Sequence, residues 1–186
     1  MSKCTSNCGN SENQWGGISR LLHWLMALLI LGSLTAGFYM ANLTDMKLKL
    51  TIVPIHKSLG VLFLGLLIFR FIWRQVNIIP TIPNTPFVTL SRLSAPILYL
   101  SMLSMPLSGL LMSQASGYPV SFFGLFTLPT VISKSPEWGN FFHEVHKYSA
   151  FILISLIVIH TFAAFYHHYV LKDQIFERML RNIKKG

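Results

Sequence analysis

Four stretches of this chain are long, apolar and nearly free of charge: 21–44, 52–73, 93–113 and 148–171, with only Lys57 and Arg70 interrupting the second. About 20 apolar residues carry a helix across the hydrocarbon core of a bilayer. Backbone polar groups there find no water, so each stretch must close its hydrogen bonds within itself, as a helix does. The sequence therefore predicts an all-α fold, an integral membrane four-helix bundle. Composition agrees: 52% of the 186 residues are hydrophobic and 11% charged, and the mean hydropathy of +0.53 is too high for a soluble domain of this size. The third run stays uncharged to Ser133, but Gly117, Pro119, Gly124 and Pro129 break its second half. Residues 114–133 are thus expected to form an ordered or re-entrant loop.

An even number of spans puts both termini on one side, and short cytoplasmic loops retain Lys and Arg. Lys3, Arg20, Arg70, Arg74, Arg92, Lys172, Arg178, Arg181, Lys184 and Lys185 fall on the terminal side, against Lys47, Lys49, Lys57, Lys134 and Lys147 opposite. Both termini are accordingly expected in the cytoplasm, with the chain multi-pass in a bacterial inner membrane. The formal charge of +9 is explained by topology and anionic-lipid contact, and no nucleic-acid partner is implied. Three segments follow: a polar N-terminal tail over 1–17, the four-helix domain over 18–172, and a basic amphipathic tail over 173–186. The N-terminal tail lacks an apolar region of its own, so the first span is expected to act as an uncleaved anchor. Its Cys4 and Cys8 read as free thiols, because two ligands rarely complete a metal site and a cytosolic tail stays reduced. TIPNTP at 81–86 marks the connection between the second and third spans. In KDQIFERMLRNIKKG, Ile175, Phe176, Met179, Leu180 and Ile183 share one helical face among basic residues, the pattern of a short C-terminal helix lying on a membrane surface or docking a partner.

Ionisable residues inside a span are costly and mark functional sites by default. His23 lies near the inner end of the first span and His56 near the outer end of the second; the fourth carries His146 and His160, flanked by His143, His167 and His168. Fourteen residues separate His146 from His160, about 21 Å of rise with about 40° of net rotation, so they share a face at two depths. They can serve two separate centres, each completed by a histidine from a neighbouring helix: His56 with His146 outside, His23 with His160 inside. Two histidines per centre, without cysteine or carboxylate, suit a six-coordinate haem iron better than zinc or a di-iron site. The bundle would then hold two haems. Arg70 lies 14 residues after His56, at the depth of His160, where haem propionates need a cation, although a snorkelling arginine at the boundary has the same pattern. The position of His160, about 16 Å from Leu171, requires either that helix four extends beyond the bilayer or that His167 or His168 replaces it. The latter would part the centres by about 31 Å, so His160 is preferred. His143, His167 and His168 read as interfacial residues.

Taken together, ISRLLHWLM at 18–26, IHKSLGVLFLGLLIFRFIWR at 55–74, SMPLSGLLMSQASGYPVSFFGLFTLP at 104–129 and VHKYSAFILISLIVIHTFAAFYHHYVLKD at 145–173 give a chain that resembles the bacterial cytochrome b561 family of small four-helix, di-haem membrane cytochromes. The resemblance implies two haem b groups, with His23, His56, His146 and His160 as axial ligands of the iron. It also implies electron transfer between membrane quinone and an outer-side donor, either superoxide or a periplasmic redox partner. Relatives often carry a glutamate where this chain has Lys147, and another histidine near the start of helix three, where it has Arg92 and Ala95. If the chain is an enzyme, the resemblance implies a superoxide:ubiquinone oxidoreductase. The alternatives are a haem-bearing membrane anchor that relays electrons to a partner protein, and a haem-free metal transporter.

Overall fold

The computed structural model describes residues 9–81 and 88–180. Cys4, Cys8 and Lys3, most of the 81–86 connection, and the tail positions Arg181, Ile183, Lys184 and Lys185 lie outside the described residues. Four long helices dominate: α1 (Gly17–Ala41), α2 (Met46–Val76), α3 (Val88–Ala115) and α4 (Pro136–Tyr169). All four are long and apolar enough to cross a membrane. The chain is a multi-pass membrane protein built as a helical bundle. The end carrying the α3–α4 loop is the loop side, and the end where α1 begins and α4 finishes is the terminal side.

The helices outrun the apolar runs that announced them because polar signals set their ends. Asp45 caps α2, its carboxylate accepting from the Lys47 and Leu48 amides. α4 begins twelve residues before its apolar run, at Pro136, with Ser135 as N-cap and Glu137 in the first turn. These are helix-start signals independent of hydropathy. At 34 residues, α4 is about 51 Å long against a hydrocarbon core of about 30 Å. It is therefore longer than the bilayer core is thick, with its added length at the loop-side start.

Between α3 and α4, the expected loop contains a minimal antiparallel hairpin, β1 (Ser121–Phe122) with β2 (Phe126–Thr127), an addition to the all-helical expectation. The loop is ordered by side chains: Gln114 donates to the Pro129 carbonyl (2.9 Å) and accepts from the Val131 amide (3.0 Å). Ser58 of α2 donates to the Ser121 carbonyl (3.1 Å) and accepts from the Phe123 amide (3.0 Å). On the terminal side, a short helix α5 (Ile175–Leu180) folds back against the bundle. Its Met179 carbonyl accepts from Trp24 Nε1 (3.1 Å), and Phe176 packs on Phe165 and His168.

The core is one apolar slab at mid-height: Met26, Ile30 and Leu34 of α1, Phe63 and Leu67 of α2, Met102 of α3 and Leu153 of α4. Spacings of four place the α1 set and the α2 set each on one helical face. The histidines continue the same stripes. His23 precedes Met26 by one turn, His56 precedes Phe63 by two, and Leu153 lies midway between His146 and His160. The slab therefore separates two histidine layers.

Candidate haem-binding site

The structure brings the four candidate histidines together in the two expected pairs. The His56 and His146 rings stand with centres 6.3 Å apart and planes at 89°; those of His23 and His160 are 6.2 Å apart at 59°. An iron held between two imidazoles needs two metal–nitrogen bonds of about 2 Å, and adding two ring radii of about 1.1 Å gives about 6 Å between centres. Both pairs meet that spacing. Among the described residues there is no group of three or more His, Cys, Asp or Glu able to hold a metal ion. A metal that brings its other ligands with it, as haem does, fits such two-residue sites.

At the loop-side pair, surrounding groups fix the chemistry of His146. Its Nδ1 lies 2.9 Å from the Met105 carbonyl, and a carbonyl only accepts, so Nδ1 carries the proton and Nε2 keeps its lone pair. This is the tautomer a metal ligand needs, held by an outer hydrogen bond of the usual kind. The Ser108 hydroxyl lies 3.3 Å from the same Nδ1. Gly109 makes room for the ring: a β-carbon there would fall 2.9 Å from His146 Cε1. His56 packs beside Gly37, whose added β-carbon would lie at 3.5 Å, an ordinary contact. The Ser33 carbonyl faces the His56 ring, yet Nδ1 makes no hydrogen bond of good geometry. The void beside the pair measures about 50 Å³ between Ile30, Phe63, Met105 and Leu153. A porphyrin would therefore displace flanking side chains; what fits is the ring spacing and the His146 tautomer.

The terminal-side pair is arranged differently. Arg70 Nη2 lies 3.2 Å from His23 Nδ1. A guanidinium has only donors, so here Nδ1 accepts and the ring proton sits on Nε2. Ligation through Nε2 requires the opposite tautomer, which frees Arg70 for an anion. Arg70 also approaches Met26 Sδ at 3.9 Å and stands 6.0 Å from the Tyr99 ring centre. His160 is exposed on its helix.

The remaining histidines lie apart from both pairs. His143 is exposed beside Glu144, and His168 packs on Tyr169 and Phe176. His167 departs from the interfacial expectation: it is buried, at 7% exposure, and its Nδ1 meets Asp173 Oδ2 at 2.5 Å. The pair closes the turn from α4 into α5, with Asp173 Oδ1 accepting from the Ile175 amide (3.0 Å). Sequence spacing alone gave no sign of it, because Asp173 lies past the helix end. Lys147 forms an ion pair with Glu144 one turn earlier and stands over Tyr148.

Residues 14–182 match the sequence model of the prokaryotic cytochrome b561 family. The chain belongs to that family. It is 32% identical over 176 residues to cytochrome b561 homolog 2 of Escherichia coli (strain K12), covering 92% of this chain and 93% of that protein. Cytochrome b561 homolog 1 of the same organism is 26% identical, with 90% and 97% covered. A protein of Yersinia pestis named probable superoxide oxidase CybB is 25% identical, with 86% and 91% covered. Membership makes this cytochrome b561 relative a membrane protein of b-type haem in a redox context.

Proposed function

We propose that the chain holds two haem b groups, one between His56 and His146 and one between His23 and His160, and conducts electrons from a loop-side donor to membrane quinone. The observation that carries this reading is the pair of ring separations, 6.3 and 6.2 Å, at two levels of one bundle. When bound, each haem supplies a one-electron iron couple. The protein supplies everything else. Met105 holds the His146 ring in its ligating tautomer, and the slab of Met26, Phe63, Leu67 and Leu153 keeps water from the space between the levels. Arg70 provides a cation for the terminal-side propionates once the ring of His23 is ligated.

For the donor we propose superoxide, oxidised at the loop side, with the termini in the cytoplasm and the chain in the inner membrane. Two superoxide ions would yield two molecules of oxygen, and their two electrons with two protons would convert one quinone to a quinol. Lysines around the loop support this: Lys57 stands over Tyr118 at 5.6 Å, and Lys134 packs along Gly117. A basic mouth raises the encounter rate of a small anion, and salt weakens the effect. The name borne by the Yersinia relative points the same way.

A second reading has its own observation. The loop exposes large apolar side chains, Leu125 at 77% and Val131 at 67%, as a docking surface for a partner redox protein would. One experiment separates the two. Purified protein should contain two haems per chain, and mixing it with superoxide in the presence of a benzoquinone should reduce the quinone with a rate that falls as salt rises. One haem per chain would break the architecture; two haems with no response to superoxide would leave the relay.

A further inference from the structure

The hairpin between α3 and α4 has a turn whose shape and chemistry disagree. The Leu125 amide bonds the Phe122 carbonyl at 2.9 Å, and the two residues between them, Phe123 and Gly124, have φ of 49° and 74°. Turns of this primed kind favour Asn-Gly or Asp-Gly, because a short polar side chain tolerates the left-handed region. A bulky phenylalanine there is an outlier, at a cost on the order of 1–3 kcal/mol. The tip is nonetheless apolar throughout. The Phe122 ring centre stands 4.9 Å from that of Phe123 and 5.3 Å from that of Phe126, while Phe123, Leu125 and Phe126 are exposed.

Depth accounts for the apolar choice. Buried Ser58 ties the hairpin to α2 by contacting the Ser121 carbonyl and the Phe123 amide. It follows the first residue of α2, Met46, by about 18 Å of helix and lies about 3 Å past His56. On α1, Gly37 packs beside His56, and the helix continues to Ala41, about 6 Å further toward the loop side. The hairpin therefore doubles back alongside the bundle instead of standing on top of it. No residue from 93 to 133 is charged. Lys57 stands over the Tyr118 ring, and lysine and tyrosine both suit the headgroup boundary, where an apolar body meets a polar tip.

We propose that the hairpin tip is a lipid-binding anchor, with Phe123, Leu125 and Phe126 seated between the headgroups and acyl chains of the loop-side leaflet. Its exposed side chains continue the apolar surface that the spanning helices present to lipid. A partner protein arriving from water would have to enter the bilayer to cover them, whereas phospholipid is already the neighbour at that depth. The assignment is independent of the haem reading.

The test uses holoprotein in vesicles of phosphatidylethanolamine and phosphatidylglycerol, in a Cys4→Ser/Cys8→Ser background. A bimane is attached at Leu125→Cys or, separately, at Phe126→Cys, so one remains informative should the other fail to fold. Thr44→Cys, in the loop between α1 and α2, and Leu28→Cys, exposed near the middle of α1, serve as water and lipid references. Each label is quenched by iodide from water and by brominated phosphatidylcholine from the bilayer, and the two are compared within one variant so that a fixed loss of emission to haem cancels. Both tip labels are expected to show iodide quenching at least about threefold weaker than at Thr44, with bromolipid quenching comparable to that at Leu28. Iodide quenching equal to that at Thr44 would overturn the anchor and place the tip in water. Protection from both quenchers would overturn it as well and assign the tip to a second copy or a docked partner protein.

Discussion

The two histidine pairs have nearly the same ring separation but reach it in different surroundings. On the loop side, Met105 and Gly109 hold His146 in place from a neighbouring helix, so the ring is already oriented and protonated for a metal. On the terminal side, a cation is bonded to the ring nitrogen of His23 and must let go before ligation. The first pair is built by packing and a neutral hydrogen bond, the second around a charge. A site of the first kind is sensitive to shape and one of the second kind to electrostatics.

That contrast can be broken most severely by removing ligands. His56→Leu/His146→Leu and His23→Leu/His160→Leu should each leave one haem per chain, because residues sharing a site are non-additive. The crossed variant His56→Leu/His160→Leu should leave none. Haem per chain in folded, membrane-inserted protein decides it, and one haem surviving in the crossed variant would mean the helices are wrongly paired. Next in size is Gly109→Val, which should cost the loop-side haem alone, since the new side chain meets His146 at under 3 Å. Gly37→Ala, with its 3.5 Å contact, should keep both haems. Equal loss in the two glycine variants would show that shape does not distinguish the sites.

Smaller still, Arg70→Leu should keep both haems while lowering the terminal-side potential, since removing a nearby cation favours the more positive oxidised iron. A drop on the order of 50 mV, about 1 kcal/mol for one electron, is expected. A redox titration in which the other couple shifts instead would reverse the contrast. The smallest effect belongs to Ser108→Ala, which leaves the Met105 carbonyl on His146. It should cost about 1 kcal/mol of stability or less, seen as a shift of a few degrees or less in thermal unfolding of the holoprotein.

The bundle was legible in the sequence because hydropathy and length constrain membrane helices so tightly. The pairing of His56 with His146 and of His23 with His160 followed from depth, which residue counts along a helix supply directly. Depth says nothing about rotation between helices, however. The Gly109 contact with His146 and the Arg70 contact with His23 both depend on how two helices are turned toward each other, and no single-helix pattern records that. The early start of α4 was readable in principle, since Ser135, Pro136 and Glu137 form a start signal, but polar flanks hide from a search for apolar runs. The His167–Asp173 pair required the chain to turn at the end of α4, where periodicity ceases to inform.

His146 and His160 stand on one unbroken helix with Leu153 between them. A stiff rod of this kind cannot place one ring without placing the other: a slide or roll of α4 that seats His146 moves His160 by the same amount. Whichever centre fills first would fix the height and azimuth of α4 for both, leaving the second less disorder to remove. Assembly of the two centres should therefore be cooperative, and the half-filled protein a scarce intermediate during maturation.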